Sequence, residues 1–385
     1  MYYRGSQHPA GKSATHQVVC YAESSDGINW TKPNLGLVEF DGSKENNIIW
    51  DGVGSHNFAP FNDSNPLASP DAAYKALGVG KGGLYAFKSA DGVRWSLMSD
   101  KPVITKGAFD SQNLAFYDHQ RKEYVEFHRD FRNGVRDIKT GTSKDFVQWA
   151  DPEWIEYPGV NAQHLYTNQI LPYQRAPHIY MGFPMRFVPG RRSPMEFPLP
   201  GVSDAVFMTS RDGKNFHRWS EAFIRPGLQL DRWVCRNNAI AWGIVETDSH
   251  IKDAPEELSL YAVESYYTGN SCRVRRYSIR QDGFASIQAS FDGGKATTKE
   301  IMFKGSELVL NFSTSAIGAI RVEIQDANGK RIKGFAASDC IEIYGDSLSK
   351  PVAWKSGSDV SELAGRPIRL HFEVKDADIY SIQFR

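Results

Sequence analysis

A seven-residue pattern, S-x-D-G-x-x-W, constrains the fold of this chain more than any other feature. Its copies are Ser24-Ser25-Asp26-Gly27-Ile28-Asn29-Trp30, Ser89-Ala90-Asp91-Gly92-Val93-Arg94-Trp95, Ser143-Lys144-Asp145-Phe146-Val147-Gln148-Trp149 and Ser210-Arg211-Asp212-Gly213-Lys214-Asn215-Phe216. A worn fifth copy is Arg280-Gln281-Asp282-Gly283-Phe284, and successive Asp markers lie 65, 54, 67 and 70 residues apart. Each copy follows an alternating apolar stretch, such as VVCYAES, GLYAFKS or AVFMTS. The Asp-Gly pair supplies a tight hairpin and the aromatic opens the next strand. A unit of this size with several strands predicts propeller blades; solenoid repeats are shorter.

Four strands fit between markers. The second unit reads HNFAPFND, YKALGVG, GLYAFKS and a strand after Trp95; the third reads SQNLAFYD, EYVEFHRD, DIKTGTS and a strand after Trp149. The fourth reads LYTNQILPY, HIYMGFPMRF, DAVFMTS and a strand after Phe216, and the fifth NNAIAWGIVET, LSLYAVESYY, RVRRYSIR and a strand near Phe284. The first has YYRG, VVCYAES and a strand after Trp30 but no innermost strand. The expectation is an all-β chain with a five-bladed propeller over residues 1–290, its first blade incomplete. From about Ser290 the strands come closer together (Glu307–Phe312, Ile320–Ile324, Ile368–Phe372, Ile379–Phe384), which predicts a C-terminal β-sandwich over 291–385. Helical signal is confined to turns near Asp71–Ala73 and Asp359–Leu363.

Composition agrees. A length of 385 residues exceeds one ordinary core, and 33 Gly, 19 Pro and 12% aromatics suit short strands and turns. The 45 Lys+Arg balance 45 Asp+Glu, which removes the broad positive field of a non-specific nucleic-acid binder. No apolar run approaches the ~20 residues that span a bilayer. Cys20, Cys235, Cys272 and Cys340 form no metal spacing and read as buried thiols. The start, MYYRGSQHPAG, has no basic and apolar leader, and Tyr2-Tyr3-Arg4 reads as the end of a strand whose beginning is missing.

Blade topology filters the polar residues. An innermost strand opens on the face where the second strand closes, so both sets of residues converge at one mouth. First strands open with Ser55-His56-Asn57, Asp110-Ser111-Gln112-Asn113, His164 to Asn168 and Arg236-Asn237-Asn238; second strands end with Arg4, His128-Arg129-Asp130, Met185-Arg186 and Glu264-Ser265-Tyr266. Three carboxylates pass the filter, Asp110, Asp130 and Glu264, and carboxylates around one pocket are what glycosidic bond cleavage requires. Glu264, among Val263, Tyr266 and Tyr267, suits the protonated acid through desolvation. Asp130, beside Arg129, suits an ionised base or stabiliser, and Asp110 the remaining role. The substrate-binding set is Arg4, His56, Asn57, Gln112, Asn113, Arg129, Tyr166, Asn168, Arg186, Arg236, Asn237, Asn238 and Tyr266. No HxH or HExxH spacing occurs, so neither metal nor other cofactor is expected. Arg129, Arg132, Arg136, Arg186, Arg191, Arg192 and Arg236 fall in or near these segments. They point either to an anionic group on the ligand or to pairing with the pocket's own carboxylates.

With these residues in view, the chain resembles the five-bladed propeller glycoside hydrolases, the invertase, levanase and arabinanase-like group of families 32, 43, 68 and 117. The S-x-D-G-x-x-W hairpins look like the D-G-W turns of those enzymes. His128-Arg129-Asp130-Phe131 is similar to the Arg-Asp-Pro motif that carries the transition-state stabiliser in family 32, with Phe in place of Pro. Runs such as HNFAPF, FDSQN, RDFR and LYTNQ also resemble secreted bacterial proteins of the planctomycete type. The resemblance implies a glycosidase acting on a poly- or oligosaccharide, and a secreted or periplasmic location for the intact gene product. Two departures stand beside it: the blade-one strand bearing the family's nucleophile Asp is absent, and so is the Glu-Cys acid motif of family 32. The alternatives are a non-catalytic glycan-binding propeller and a family 130-like glycoside phosphorylase whose Arg and His residues hold phosphate.

Overall fold

The chain is all-β, built of antiparallel sheets, in a computed structural model that describes residues 1–7, 16–266, 268 and 272–385. It divides into two compact units, residues 1–247 with 259–277 and residues 248–258 with 278–385.

Five sheets follow one another along the first 280 residues. The first holds β1 (Tyr2–Gln7), β2 (His16–Tyr21) and β3 (Ile48–Asp51) in chain order. Its third strand is not the stretch after Trp30, which makes one bridge between Thr31 and Glu23. The second sheet holds β4 (Gly54–Asn62), β5 (Tyr74–Gly80), β6 (Gly83–Ser89) and β7 (Ser96–Leu97), and the third β8 (Leu114–Asp118), β9 (Glu123–Arg132), β10 (Val135–Ser143) and β11 (Glu153–Trp154).

In the fourth sheet the first two expected strands are each split. They become β12 (His164–Leu165), β13 (Leu171–Tyr173), β14 (Ala176–Gly182) and β15 (Met185–Val188), followed by β16 (Val202–Ser210) and β17 (Phe216–Ile224). Gln169 turns left-handed between β12 and β13, and Pro184, with no N–H to give a ladder, separates β14 from β15. The fifth sheet holds β18 (Val245–Thr247), β19 (Glu257–Glu264) and β20 (Arg273–Arg280). Its expected innermost strand is interrupted where Arg236 and Asn238 adopt positive φ, leaving one bridge from Ile240 to Ala262.

Tyrosine and tryptophan side chains tie each sheet of the first unit to the next. Tyr2 OH donates to Gly92 O at 2.9 Å, Tyr124 OH to Asp63 Oδ2 at 2.8 Å, and Tyr180 OH to Asp118. Trp242 Nε1 donates to Ile170 O at 2.9 Å, and Tyr261 OH to Gly27 O at 2.7 Å, which returns from the fifth sheet to the first. Apolar side chains fill the spaces between, among them Phe61, Leu77, Phe116, Phe127, Phe146 and Phe216.

The repeated hairpins explain their own sequence. In all four, Asp Oδ1 accepts the N–H groups two and three residues on at 2.7–2.9 Å, while the Ser Oγ accepts the N–H three residues on at 2.9 Å. The residue after Asp has φ of 71°, 74°, 68° and 65°, which is why Gly occupies it three times. The third copy places Phe146 there, and its fully buried ring packs on Phe61, Tyr124 and Trp149.

The strand expected near Phe284 does not close the fifth sheet. Residues 281–284 turn, and β21 (Ile287–Ala289) joins the sheet of the second unit with β22 (Gly294–Thr297), β23 (Leu308–Asp326), β24 (Asp346–Pro351) and β25 (Ile368–Phe384). The four short strands expected there are two long ones, β23 and β25, paired across a bulge between Thr314 and Ala319. Residues including Phe335, Ile343, Trp354 and Leu363 cover their apolar face of Leu308, Leu310, Phe312, Val322, Leu370 and Phe372. Single 3₁₀ turns occur at Pro70–Ala72 and Ser361–Leu363, where helical signal was read, and at Leu230–Arg232, where it was not. Cys20, Cys235 and Cys340 are buried thiols, whereas Cys272 is exposed.

Candidate functional site

One polar cluster draws residues from all five sheets of the first unit. Its centre is Asp110, just ahead of β8. His56 Nε2, on β4, donates to Asp110 Oδ1 at 3.0 Å, and Tyr166 OH, after β12, donates to Oδ2 at 3.5 Å. His56 Nδ1 faces Arg4 Nη1 of β1 at 3.2 Å and Gln17 Oε1 of β2 at 2.7 Å. Arg4 Nη2 in turn donates to Tyr266 OH, beyond β19, at 2.6 Å. The His56 hydrogen bond, opposed by burial and aided by the charges of Arg129, His56 and Arg236, holds the Asp110 carboxyl at about 2. Asp110 is therefore an ionised acceptor at neutral pH.

Arg129 and Arg136, on the neighbouring strands β9 and β10, form the other half of the cluster. The Arg129 guanidinium lies 4.6 Å from the centre of the Tyr166 ring and 5.8 Å from that of Phe131, and its Nε donates to Ala108 O at 3.1 Å. Arg136 lies 5.3 Å from the Tyr166 ring, 5.2 Å from Phe131 and 5.4 Å from Phe187. Burial first, and then the charge of Arg129, lower Arg136 from its ordinary value. Among the described residues Arg129 Nη1 and Arg136 Nε are buried without a hydrogen-bond partner.

The other two candidate carboxylates are held by different partners. Side chains alternate along β9, so Asp130 faces away from Arg129. It takes Lys139 Nζ at 2.8 Å and the Phe131 N–H at 2.8 Å. Burial raises Asp130, but these two hydrogen bonds and the Lys139 charge outweigh it and leave the carboxyl below its usual value. Glu264 is buried between two guanidiniums, with Arg232 Nε at 3.0 Å and Arg275 Nε at 2.5 Å. The sequence pointed to an isolated carboxyl among apolar and aromatic neighbours. Arg275 on β20 and Arg232 in its 3₁₀ turn replace that picture with an ion-paired carboxylate.

The remaining residues sort into scaffold and rim. Arg186 grips Asp204 through two hydrogen bonds of 2.9 and 2.6 Å and also donates to Ser220 O. Asn238 accepts from Arg232 and donates to Ser203 O and Arg232 O, and Asn237 Oδ1 accepts the Tyr266 N–H at 3.0 Å. Asn113 Nδ2 donates to Phe109 O and Ser111 O, and Asn168 Nδ2 to Phe127 O and Gln112 O; Gln112 Oε1 accepts from Gln169. These amides therefore fix the loops that carry Asp110, Tyr166 and Tyr266. Arg236 and half-buried Asn57 have positive φ, as do Gln169, Asn238 and Ser265. Left-handed backbone at five non-glycine residues beside one cluster is a concentration of local strain of the kind found at binding sites.

Sequence reading missed Gln17, which reaches His56 from the start of β2, and Gln169. Gln17 lies at the start of β2, outside the first-strand openings and second-strand ends from which the other candidates come. A buried pair was also missed: His128 Nδ1 lies 2.8 Å from Glu126 Oε2, and Nε2 lies 3.0 Å from Lys106 O. Among the described residues no group of three or more His, Cys, Asp and Glu side chains is placed to hold a metal ion.

No known protein family and no curated protein matches the chain in sequence, which leaves the likeness to planctomycete proteins without support. Solved structures are similar to it in part. An N-acetylgalactosamine deacetylase from F. plautii, in complex with blood group B trisaccharide, is 14% identical with a TM-score of 0.43, covering 65% of this chain and 71% of the deacetylase. A glycoside hydrolase family 43 arabinoxylan arabinofuranohydrolase from Bacillus subtilis is 11% identical with a TM-score of 0.41, covering 100% of this chain and 92% of that one. A fructofuranosidase from Schwanniomyces occidentalis, complexed with fructosylnystose, is 11% identical with a TM-score of 0.37, covering 95% and 88%.

Proposed function

We propose that the five sheets of the first unit are the blades of a β-propeller and that the Asp110 cluster at their convergence is a carbohydrate site. In this reading the chain is a glycoside hydrolase-like enzyme that cleaves glycosidic bonds of a poly- or oligosaccharide, with the second unit as an accessory β-sandwich. One observation carries the proposal: Arg4, His56, Asp110, Tyr166 and Tyr266, from five consecutive sheets, form one connected network. Separate surface loops have no reason to converge in this way, whereas a built pocket requires it.

The chemistry assigned to Asp110 follows from its ionisation. A fixed carboxylate stabilises the positive charge that develops on the sugar ring during glycosidic cleavage, or takes a proton from water. His56 orients it, and the Tyr166 and Tyr266 rings offer stacking faces for sugar.

A second reading is favoured by a specific observation. Asp130 and Glu264 are each occupied by cationic partners, so the cluster holds one carboxylate where hydrolysis ordinarily uses two. A glycan-binding propeller without turnover fits that arrangement. Incubation with a panel of plant, algal and microbial polysaccharides, read by release of reducing ends, separates the two. Turnover lost in Asp110→Asn with glycan binding retained supports the hydrolase. Binding lost in Asp110→Asn with no turnover in the parent supports the binding module, and product formation that requires inorganic phosphate assigns a phosphorylase.

A further inference from the structure

We propose that Arg129 and Arg136 form a subsite for an anionic substituent, a carboxylate or a sulfate ester, on the sugar held at Asp110; this rests on the carbohydrate reading of that cluster. The two guanidiniums share the Phe131 and Tyr166 rings, so two like charges are held on one pair of aromatic faces. Arg129 is only 5% exposed, and each of the two keeps a buried side-chain nitrogen without a hydrogen-bond partner. Burying like charges together with unpaired donors is costly unless an opposite charge joins them.

Nearby arginines meet that need within the chain. Arg132 pairs with Glu156 at 3.0 Å, Arg186 with Asp204 at 2.6 Å, and Arg232 and Arg275 with Glu264. Among the described residues Arg129 and Arg136 do not. The carboxylate that acts on both electrostatically is Asp110, whose two oxygens are taken by His56 and Tyr166. The pair thus presents donors in excess of acceptors. A planar guanidinium matches the oxygens of a carboxylate or sulfate, and Phe131, 46% exposed, offers an apolar face beside them.

Isothermal titration of the full chain tests this with matched pairs. The probes are an oligogalacturonate and its methyl ester, a sulfated galacto-oligosaccharide and its desulfated form, and inorganic sulfate and phosphate alone. One charged form should bind about tenfold to a hundredfold more tightly than its neutral counterpart, the range of one or two charge-assisted hydrogen bonds. Arg136→Gln should erase that preference, and the parent's comparison stands by itself if the variant does not fold. Binding of neutral sugars with equal affinity for the charged ones overturns the subsite and leaves the carbohydrate reading intact. Inorganic sulfate or phosphate binding as tightly as the charged sugars overturns the assignment to a sugar substituent. Preference for charged sugars without any cleavage supports the subsite while the hydrolase reading fails.

Discussion

His56 Nε2 lies 3.0 Å from Asp110 Oδ1, so an imidazole on the second sheet holds a carboxylate at the entrance to the third. The Asp110 side chain is 70% exposed, and a hydrogen bond so open to water contributes less than ~1 kcal/mol to stability. Asp110→Asn should therefore move the melting temperature by less than about 4 °C, while lowering turnover by about a hundredfold or more. Calorimetry and an activity assay on the same preparation check both halves. A large fall in melting temperature would make Asp110 a structural residue.

Asp110 sets a second expectation, in pH. Its carboxyl is held at about 2, so it stays ionised throughout the range from pH 4 to 7. Any acid limb of activity above pH 4 must then come from another group. A limb near pH 4.5 that vanishes in Asp110→Asn would contradict the assignment.

The repeated hairpins predict how stability falls in acid. Burial raises Asp91 and Asp212, but backbone N–H groups and neighbouring side chains outweigh it, leaving Asp91 at about 2 and Asp212 lower than its ordinary value. A carboxyl lowered by folding contributes stability that is in place above the unfolded value of about 4 and is lost as pH falls through the folded value. Denaturant unfolding at pH 7, 4 and 2 should show that loss. Asp91→Asn and Asp212→Asn should be less stable than the parent at pH 7, and the gap should narrow between pH 4 and pH 2, more for Asp91 than for Asp212.

Asp63, Lys75 and Tyr124 form a buried triad joining the second and third sheets: Lys75 Nζ and Tyr124 OH both donate to Asp63 Oδ2. Asp63→Ala leaves a buried ammonium without its counter-charge and should cost about 3–5 kcal/mol. The double variant Asp63→Leu with Lys75→Met should cost much less. Urea midpoints of the parent, single and double variants measure the difference.

The successive sheets were legible where local chemistry repeats. Asp26, Asp91, Asp145 and Asp212 announce their hairpins because each makes the same two short-range hydrogen bonds, and the strands of the second and third sheets follow from alternation. Legibility failed where backbone conformation overrides alternation. Gln169, Arg236 and Asn238 turn left-handed inside expected strands, and nothing in their identity demands it. At the site, topology led to Asp110, His56 and Arg4. It could not reveal that Lys139 would face Asp130, or that a guanidinium eleven residues after Glu264 would occupy it, because both pairings depend on the register of neighbouring strands. Gln17 was hidden for the same reason.

The most direct test of the Asp110 cluster as a carbohydrate site is a crystal structure of Asp110→Asn with an oligosaccharide drawn from the substrate or binding panel. A sugar ring is expected within hydrogen-bond distance of residue 110 and His56, against Tyr166, with any acidic substituent on Arg129 and Arg136. Sugar bound elsewhere, with the Asp110 cluster unaltered, would contradict it.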